Sequence, residues 1–169
     1  MASTTLLLSA AILAACTEAP PSSQPQSDDT DAATSDYAAT LEFTGATAGT
    51  ADDSLEPIRL GMVNLEGGVP SSPETREAAE AAVNLVNSEL GGIGGHPLEL
   101  DTCTVASSEE EGLACGQQMV NDPSIAAVVE GALVFGADSF HQAIDGKLPV
   151  VEVNPSSAGD LTSENAFSL

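Results

Sequence analysis

The stretch from Ser72 to Leu100 constrains this chain more than any other. It reads Ser72-Pro73-Glu74-Thr75-Arg76, an Ala-rich run to Leu90, then Gly91-Gly92-Ile93-Gly94-Gly95-His96-Pro97 and Leu98-Glu99-Leu100. Ser72 suits an N-cap, and Pro73 suits the first helical position because its missing N–H would be unpaired there anyway. Glu74 and Glu77 place negative charge at the positive end of the helix dipole. Ala79, Val83, Val86 and Leu90 recur at helical spacing on one stripe, with Glu80, Asn84, Asn87 and Ser88 largely off it, so one face is built for packing. Gly91 can close the last turn in the left-handed conformation, and the glycines after it allow a sharp reversal into an extended segment. The pattern is the second half of a strand, helix, strand unit.

The rest of the chain from Pro57 repeats that unit. Ile58 to Asn64 is a short, mostly apolar strand leading through a Gly/Pro/Ser loop into the helix, and Leu98 to Cys103 is the second strand. Ser107 or Ser108 caps a second helix with Glu109, Glu110 and Glu111 in its first turn, which Asn121-Asp122-Pro123 stops. Ile125 to Val129 is a third strand, apolar enough to be buried on both faces. Phe135 to Ile144 is a third helix, with Phe140 and Ile144 as its packing residues. Pro149 to Val153 is a fourth strand, and Ala166 to Leu169 begins another. This alternation predicts an α/β fold, a parallel sheet with helices on both faces.

The first 56 residues read differently. Leu6 to Ala15 is an apolar run too short to span a bilayer, which takes roughly 20 helical residues, and of the length of an export signal. Its end, Leu13-Ala14-Ala15-Cys16, resembles the bacterial lipobox, in which the signal is removed and the cysteine acylated. That implies a lipoprotein signal peptide over 1–15 and Cys16 as a lipidated N-terminus; an ordinary secretory signal with an incidental cysteine is the other reading. Met1 to Thr5 holds no Lys or Arg, where an export signal is normally basic, so the expectation is a true start upstream or a miscalled one. From Thr17 to Glu56 there are nine acidic and no basic residues, with no sustained apolar period. Residues 16–56 are therefore expected to form a disordered acidic linker that holds a folded domain, 57–169, clear of a membrane surface.

Charge excludes one class of partner. With 3 basic and 26 acidic residues and a net charge of −23, the surface repels phosphate, so no nucleic acid is expected to bind. A solvated acidic surface and a salt-adapted source both fit this balance.

Ligands of such sheets bind at the carboxyl ends of the strands, where the strand order reverses. The loops there are Leu65 to Ser72, Gly131 to Gly136 and Asn154 to Ala158. They offer Gly, Ser, Asn and backbone amides, which suits binding more than catalysis. Ser156 and Ser157 are candidate donors to an anionic ligand group, with turn chemistry after Asn154-Pro155 as the alternative. The amides at the start of the helix near Gly136 are further candidates. Phe135 either floors a pocket or joins the core. No Gly-x-Ser-x-Gly or Walker A sequence is present, and His96 and His141 have no neighbours at metal-ligand spacing. The expectation is therefore no enzyme, no cofactor and no metal, with both histidines structural or solvent-facing. Cys103 and Cys115 lie outside the cytoplasm if the signal is real, which allows a disulfide pinning the second helix to the strand end; two buried free thiols are the alternative.

The first strand, the Pro73 to Leu90 helix, the Gly91-Gly92-Ile93-Gly94-Gly95-His96-Pro97-Leu98-Glu99-Leu100 turn and strand, and Gln117-Gln118-Met119-Val120-Asn121-Asp122 together resemble the leucine-binding family. These are the type I periplasmic binding proteins, substrate-binding lipoproteins of branched-chain amino acid ABC transporters. The resemblance runs from Pro57 to Leu169 and implies a flavodoxin-like lobe with strand order 2-1-3-4-5. Because the family's length goes well beyond this, the lobe is expected to be incomplete, an N-terminal fragment of a two-lobed clamshell. It further implies an extracytoplasmic, lipid-anchored receptor that closes on a small solute and delivers it to ABC permease and ATPase subunits. A sensing module of the same fold, coupled to a signalling receptor, is the alternative. Ligand contacts are implied at Phe135, Gly136, Ser156, Ser157 and Ala158. Where the family's amino-acid binders offer Ser/Thr hydroxyls after strand three and a small residue and a threonine after strand four, this chain has Val134, Phe135, Ser156 and Ala158, a departure from the pattern that holds leucine, isoleucine or valine. The solute implied is an amino acid or a related small polar molecule.

Overall fold

The computed structural model describes residues 37–168. The expected signal peptide, Cys16 and most of the expected linker lie outside them. The described elements are α1 (Ala38–Thr44), β1 (Ile58–Leu65), α2 (Pro73–Ser88), β2 (Leu98–Val105), α3 (Glu109–Asn121), β3 (Ile125–Glu130), α4 (Ala137–Ile144), β4 (Val150–Glu152), α5 (Ala158–Thr162) and β5 (Ala166–Ser168). The five strands form one parallel sheet in the order β2-β1-β3-β4-β5. The order reverses after β2, as expected, and leaves the carboxyl ends of β1 and β3 side by side. No helix among the described residues is long and apolar enough to cross a membrane.

Strand periodicity assigns the two faces. Val63 and Leu65 of β1, Val128 of β3 and Val150 of β4 point into a core completed by Cys115 and Met119 of α3 and Phe140 and Ile144 of α4. The alternate residues, Met62 and Asn64, are also fully buried, and Asn64 reaches the Ser72 carbonyl at the start of α2. Coverage on that second face is thinner. α2 has no fully buried residue, and Val153 and Phe167 are more than half exposed. Burial of β3 on both faces is thus corrected: Ile125, Val128 and Glu130 are buried, whereas Ala126 is exposed.

Three local expectations need revision. Ser72 holds the N-cap position of α2 but its side chain makes no capping hydrogen bond. Of the two candidates for α3, Ser108 is the cap, and its hydroxyl accepts from the Glu111 N–H in a reciprocal capping box. α2 ends at Ser88, short of Leu90, which instead pairs with Gly49 as a parallel bridge. This pairing also corrects the linker, because ordered chain begins well before Pro57. The amides of Gly49 and Ala51 donate to the carbonyls of Glu89 and Asn87, which the helix leaves without partners, and Ala51 is buried. The segment docks by backbone groups, so it needs no apolar period. Gly91 and Gly92 at this junction both have φ near +70°, and a side chain on Gly91 would strike the Thr47 carbonyl.

Cys103 and Cys115 are joined by a disulfide, Cα to Cα 5.6 Å, linking β2 to α3. Arg59 at the opposite edge meets Glu99, Asp101 and Asp122, and Arg76 meets Glu66 and Glu80. Two of the three basic residues in the chain are therefore engaged by several carboxylates each.

Candidate functional site

The carboxyl edge of the sheet gathers the loops after β1, β3 and β4. Ser156 Oγ donates to the Leu133 carbonyl at 3.2 Å, so the loops after β3 and β4 touch. Phe135 is half-buried and packs against the core. Gly136 is the N-cap of α4 with φ 78°. Its N–H donates to Glu109 Oε1 at 2.9 Å, and Glu109 Oε2 accepts from the Ser139 hydroxyl at 2.7 Å. The anion at the start of α4 is thus a carboxylate of the protein itself. Ser157 is the N-cap of α5, and Ala158 is exposed on its first turn. The N–H groups of Ser156 and Ser157 donate to Asp160 Oδ2 at 2.6 and 2.7 Å.

Asn64, at the end of β1, stands where the strand order reverses. Its Nδ2 donates to the Ser72 carbonyl at 2.8 Å and to Glu66 Oε1 at 3.1 Å. Both partners are acceptors, so the amide orientation is determined. Its Oδ1 is left as a buried acceptor without a protein partner, beside Gly131 and Thr75. A group that accepts there must be supplied with a donor, from water or from a ligand.

One strand pair further along lies a second cluster. Glu130 ends β3 and Glu152 ends β4, directly paired in register as Val128, Val129, Glu130 against Val150, Val151, Glu152. His141 of α4 and Asp160 of α5 meet them. His141 Nε2 is 2.9 Å from Glu130 Oε2, 3.3 Å from Glu152 Oε1 and 3.3 Å from Asp160 Oδ1, and all four side chains are at most 4% exposed. Although the first of these contacts has hydrogen-bond length, none has hydrogen-bond direction, and Glu130 Oε2, His141 Nε2 and Glu152 Oε1 remain without hydrogen-bond partners. Burial pushes the Glu130 and Glu152 carboxyls up, with the Asp160 charge adding to it. Burial also works against charge on His141, but the adjacent Glu130, Asp160 and Glu152 outweigh it and raise the imidazole. For Asp160 burial is outweighed by the Ser157 hydroxyl and the Ser157 and Ser156 N–H groups, which lower it. The expectation that His141 has no ligand-like neighbours holds along the chain but not in space. The repeated Val-Val-Glu at two strand ends was the available signal.

A roomier concavity lies elsewhere. It has about 730 Å³ and is lined by Thr40 to Thr50 on one side and Val86 to Gly95 on the other, beside the amino ends of the strands. The carboxyl edge is the better candidate because the crevice left by the reversed strand order is there, together with the unpartnered acceptor of Asn64.

No family model matches the chain, and neither does any curated protein. Solved structures do. The branched-chain amino acid transporter substrate binding protein LivJ from Streptococcus pneumoniae, crystallised with isoleucine, superposes with a TM-score of 0.58 at 18% identity, over 67% of this chain and 33% of that one. A putative branched-chain amino acid ABC transporter protein from Silicibacter pomeroyi superposes with a TM-score of 0.56 at 17% identity, over 67% of this chain and 31% of that one. The likeness is one of fold: the parallel sheet and its helices are arranged as in part of each of these two proteins. This chain spans about a third of the length of either of these proteins. At such identity the likeness carries the architecture alone; Phe135, Gly136, Ser156, Ser157 and Ala158 lie in the segments that follow β3 and β4 in this chain.

Proposed function

We propose that the chain supplies one lobe of an extracytoplasmic solute receptor for an ABC importer. The solute is a small polar molecule of the amino acid class, held against the carboxyl edge of the sheet and passed on to permease and ATPase subunits. The reading is supported above all by Asn64 Oδ1, a buried acceptor without a partner at the point where the strand order reverses. An ammonium group is a matching donor. Likeness in fold to a branched-chain amino acid substrate binding protein and to a putative branched-chain amino acid ABC transporter protein supports the same reading. Phe135, Gly136, Ser156, Ser157 and Ala158 are the proposed contacts from the two neighbouring loops. Several of their donors already serve Glu109 and Asp160, so the solute contributes its own donors or exchanges with these carboxylates. A lipid on Cys16 is the proposed attachment, with the acidic stretch after it as spacer.

Calorimetry with a panel of amino acids and small polar solutes tests the binding. A saturable heat that disappears in Asn64→Leu supports the reading, and its absence across the panel overturns it. Attachment is tested separately by labelling cells with a radioactive fatty acid, where Cys16→Ser should release unlabelled protein from the membrane fraction.

A further inference from the structure

The buried cluster of Glu130, His141, Glu152 and Asp160 has a charge problem that the protein does not solve by itself. Three carboxylates and one imidazole sit together with almost no access to water. Buried charges of one sign require a partner. The arginines of the chain are engaged by other carboxylates, and Lys147 is exposed on the loop before β4. Besides His141 itself, no basic side chain reaches the cluster among the described residues. Three of its polar atoms face one another without hydrogen-bond geometry.

We propose that Glu130, His141, Glu152 and Asp160 form a binding site for one first-row divalent cation of the zinc type. Each residue offers one atom, and the four atoms all lie within 4.8 Å of one another. Nε2 of His141 is 2.9, 3.3 and 3.3 Å from the three oxygens. A tetrahedral zinc site, with bonds of about 2.0–2.2 Å, separates its ligand atoms by about 3.3–3.6 Å. Donor chemistry selects the ion. One imidazole nitrogen with three carboxylate oxygens suits zinc and its neighbours, whereas calcium takes six to eight oxygens and magnesium keeps an octahedral, largely hydrated shell.

The surroundings hold the ligands as an outer shell does. Oδ2 of Asp160 is fixed by the Ser156 and Ser157 N–H groups, and Oδ1 accepts from the Ser157 hydroxyl at 2.5 Å. Glu152 Oε2 accepts from the Ser168 hydroxyl at 3.2 Å, leaving Oε1 toward the cluster. Such contacts orient carboxylate ligands before the ion arrives. The ligands come from β3, α4, β4 and α5, so the ion would lock the edge of the sheet to the helices beside it. This site adjoins the proposed solute edge through the Ser156 and Ser157 N–H groups that hold Asp160, but neither Asn64 nor the Leu65 to Ser72 loop belongs to it and its test needs no solute.

The test uses the full chain, stripped with a chelator and titrated with Zn2+ at high salt to screen the acidic surface. One equivalent should bind, and the melting temperature should rise and fall back on chelation. Co2+ in the same site should give the intense visible absorption of four-coordinate cobalt with nitrogen and oxygen ligands. His141→Gln should weaken Zn2+ binding by about 100-fold or more, while His96→Ala, at the far edge, should leave it unchanged. Uptake that is equally weak in wild type and His141→Gln would assign the ion to the acidic surface and overturn the proposal. If His141→Gln does not fold, the cobalt spectrum of the wild type decides: a six-coordinate, pale spectrum overturns the site.

Discussion

The side-chain amide of Asn87 closes both hydrogen bonds of Leu98. Its Oδ1 accepts from the Leu98 N–H at 2.7 Å and its Nδ2 donates to the Leu98 carbonyl at 2.9 Å. Leu98 begins β2, the edge strand, and is buried. The pair therefore sets where the strand starts relative to the end of α2, across the glycine turn. Removing the amide leaves a donor and an acceptor unpaired beside the core, each worth about 1 kcal/mol or more. Asn87→Ala should lower stability by about 2 kcal/mol, and Asn87→Asp, which retains only the acceptor, should fall between it and wild type. Urea unfolding midpoints with unchanged slopes would establish the order; an Asn87→Ala midpoint equal to wild type would show that water replaces both bonds.

Asn87 also illustrates what was legible. Helix, turn and strand followed from Pro73, the apolar stripe and the glycines, because those are local properties of the chain. The parallel sheet and its order were legible too, since strands and helices alternate at short spacing and the family resemblance supplied the reversal. Asn87 itself read only as a residue largely off the apolar stripe, because its partner is in another element. The same holds for Gly49 to Ala51, which dock by backbone hydrogen bonds and carry no side-chain pattern. Glu130, His141, Glu152 and Asp160 come from four separate elements, so no spacing along the chain brings them together. At the solute edge, the loops were identifiable from strand ends, but Asn64 was missed because it reads as part of an apolar strand.

The contact between α3 and α4 depends on two glycines. A methyl on Gly112 would overlap the Gly136 carbonyl, and one on Gly116 would lie 2.6 Å from the Ala143 Cβ and 2.8 Å from the Phe140 carbonyl. Backbone cannot yield as a flexible side-chain tip can, so the helices must separate. Alanine is the better helix former by up to about 1 kcal/mol, yet overpacking of this kind costs about 1–3 kcal/mol. Gly112→Ala and Gly116→Ala should each destabilise the protein in thermal unfolding despite higher intrinsic helicity. Stabilisation by either would mean that α3 and α4 move apart freely.

The Cys103 to Cys115 bridge spans 12 positions and connects β2 to the helix that covers it. Closing a loop of that size should stabilise by about 3 kcal/mol through the entropy of the unfolded chain. A Cys103→Ser, Cys115→Ser double variant should show that loss relative to oxidised wild type. Reduced wild type should match the variant, and a reductant-independent melting curve would exclude any contribution from the bridge.

Acid should weaken the tie between α3 and α4. The Ser139 hydroxyl, followed by the Gly136 N–H, holds the Glu109 carboxyl below its ordinary value of 4.5, with burial and the neighbouring Asp138 opposing the shift. A carboxyl depressed in the folded state stabilises fully above its unfolded value, and the contribution is lost as pH falls through the lower folded value. Because Glu109 lies near the surface, solvent screening keeps the effect under about 1 kcal/mol. Glu109→Gln should therefore be less stable than wild type at pH 7, and the difference should shrink steadily as the pH is lowered below 4.5. Paired denaturation curves at pH 7, 5, 4 and 3 would read it. A gap that stays constant with pH would place the role of Glu109 in shape alone, with its charge making no difference to the start of α4.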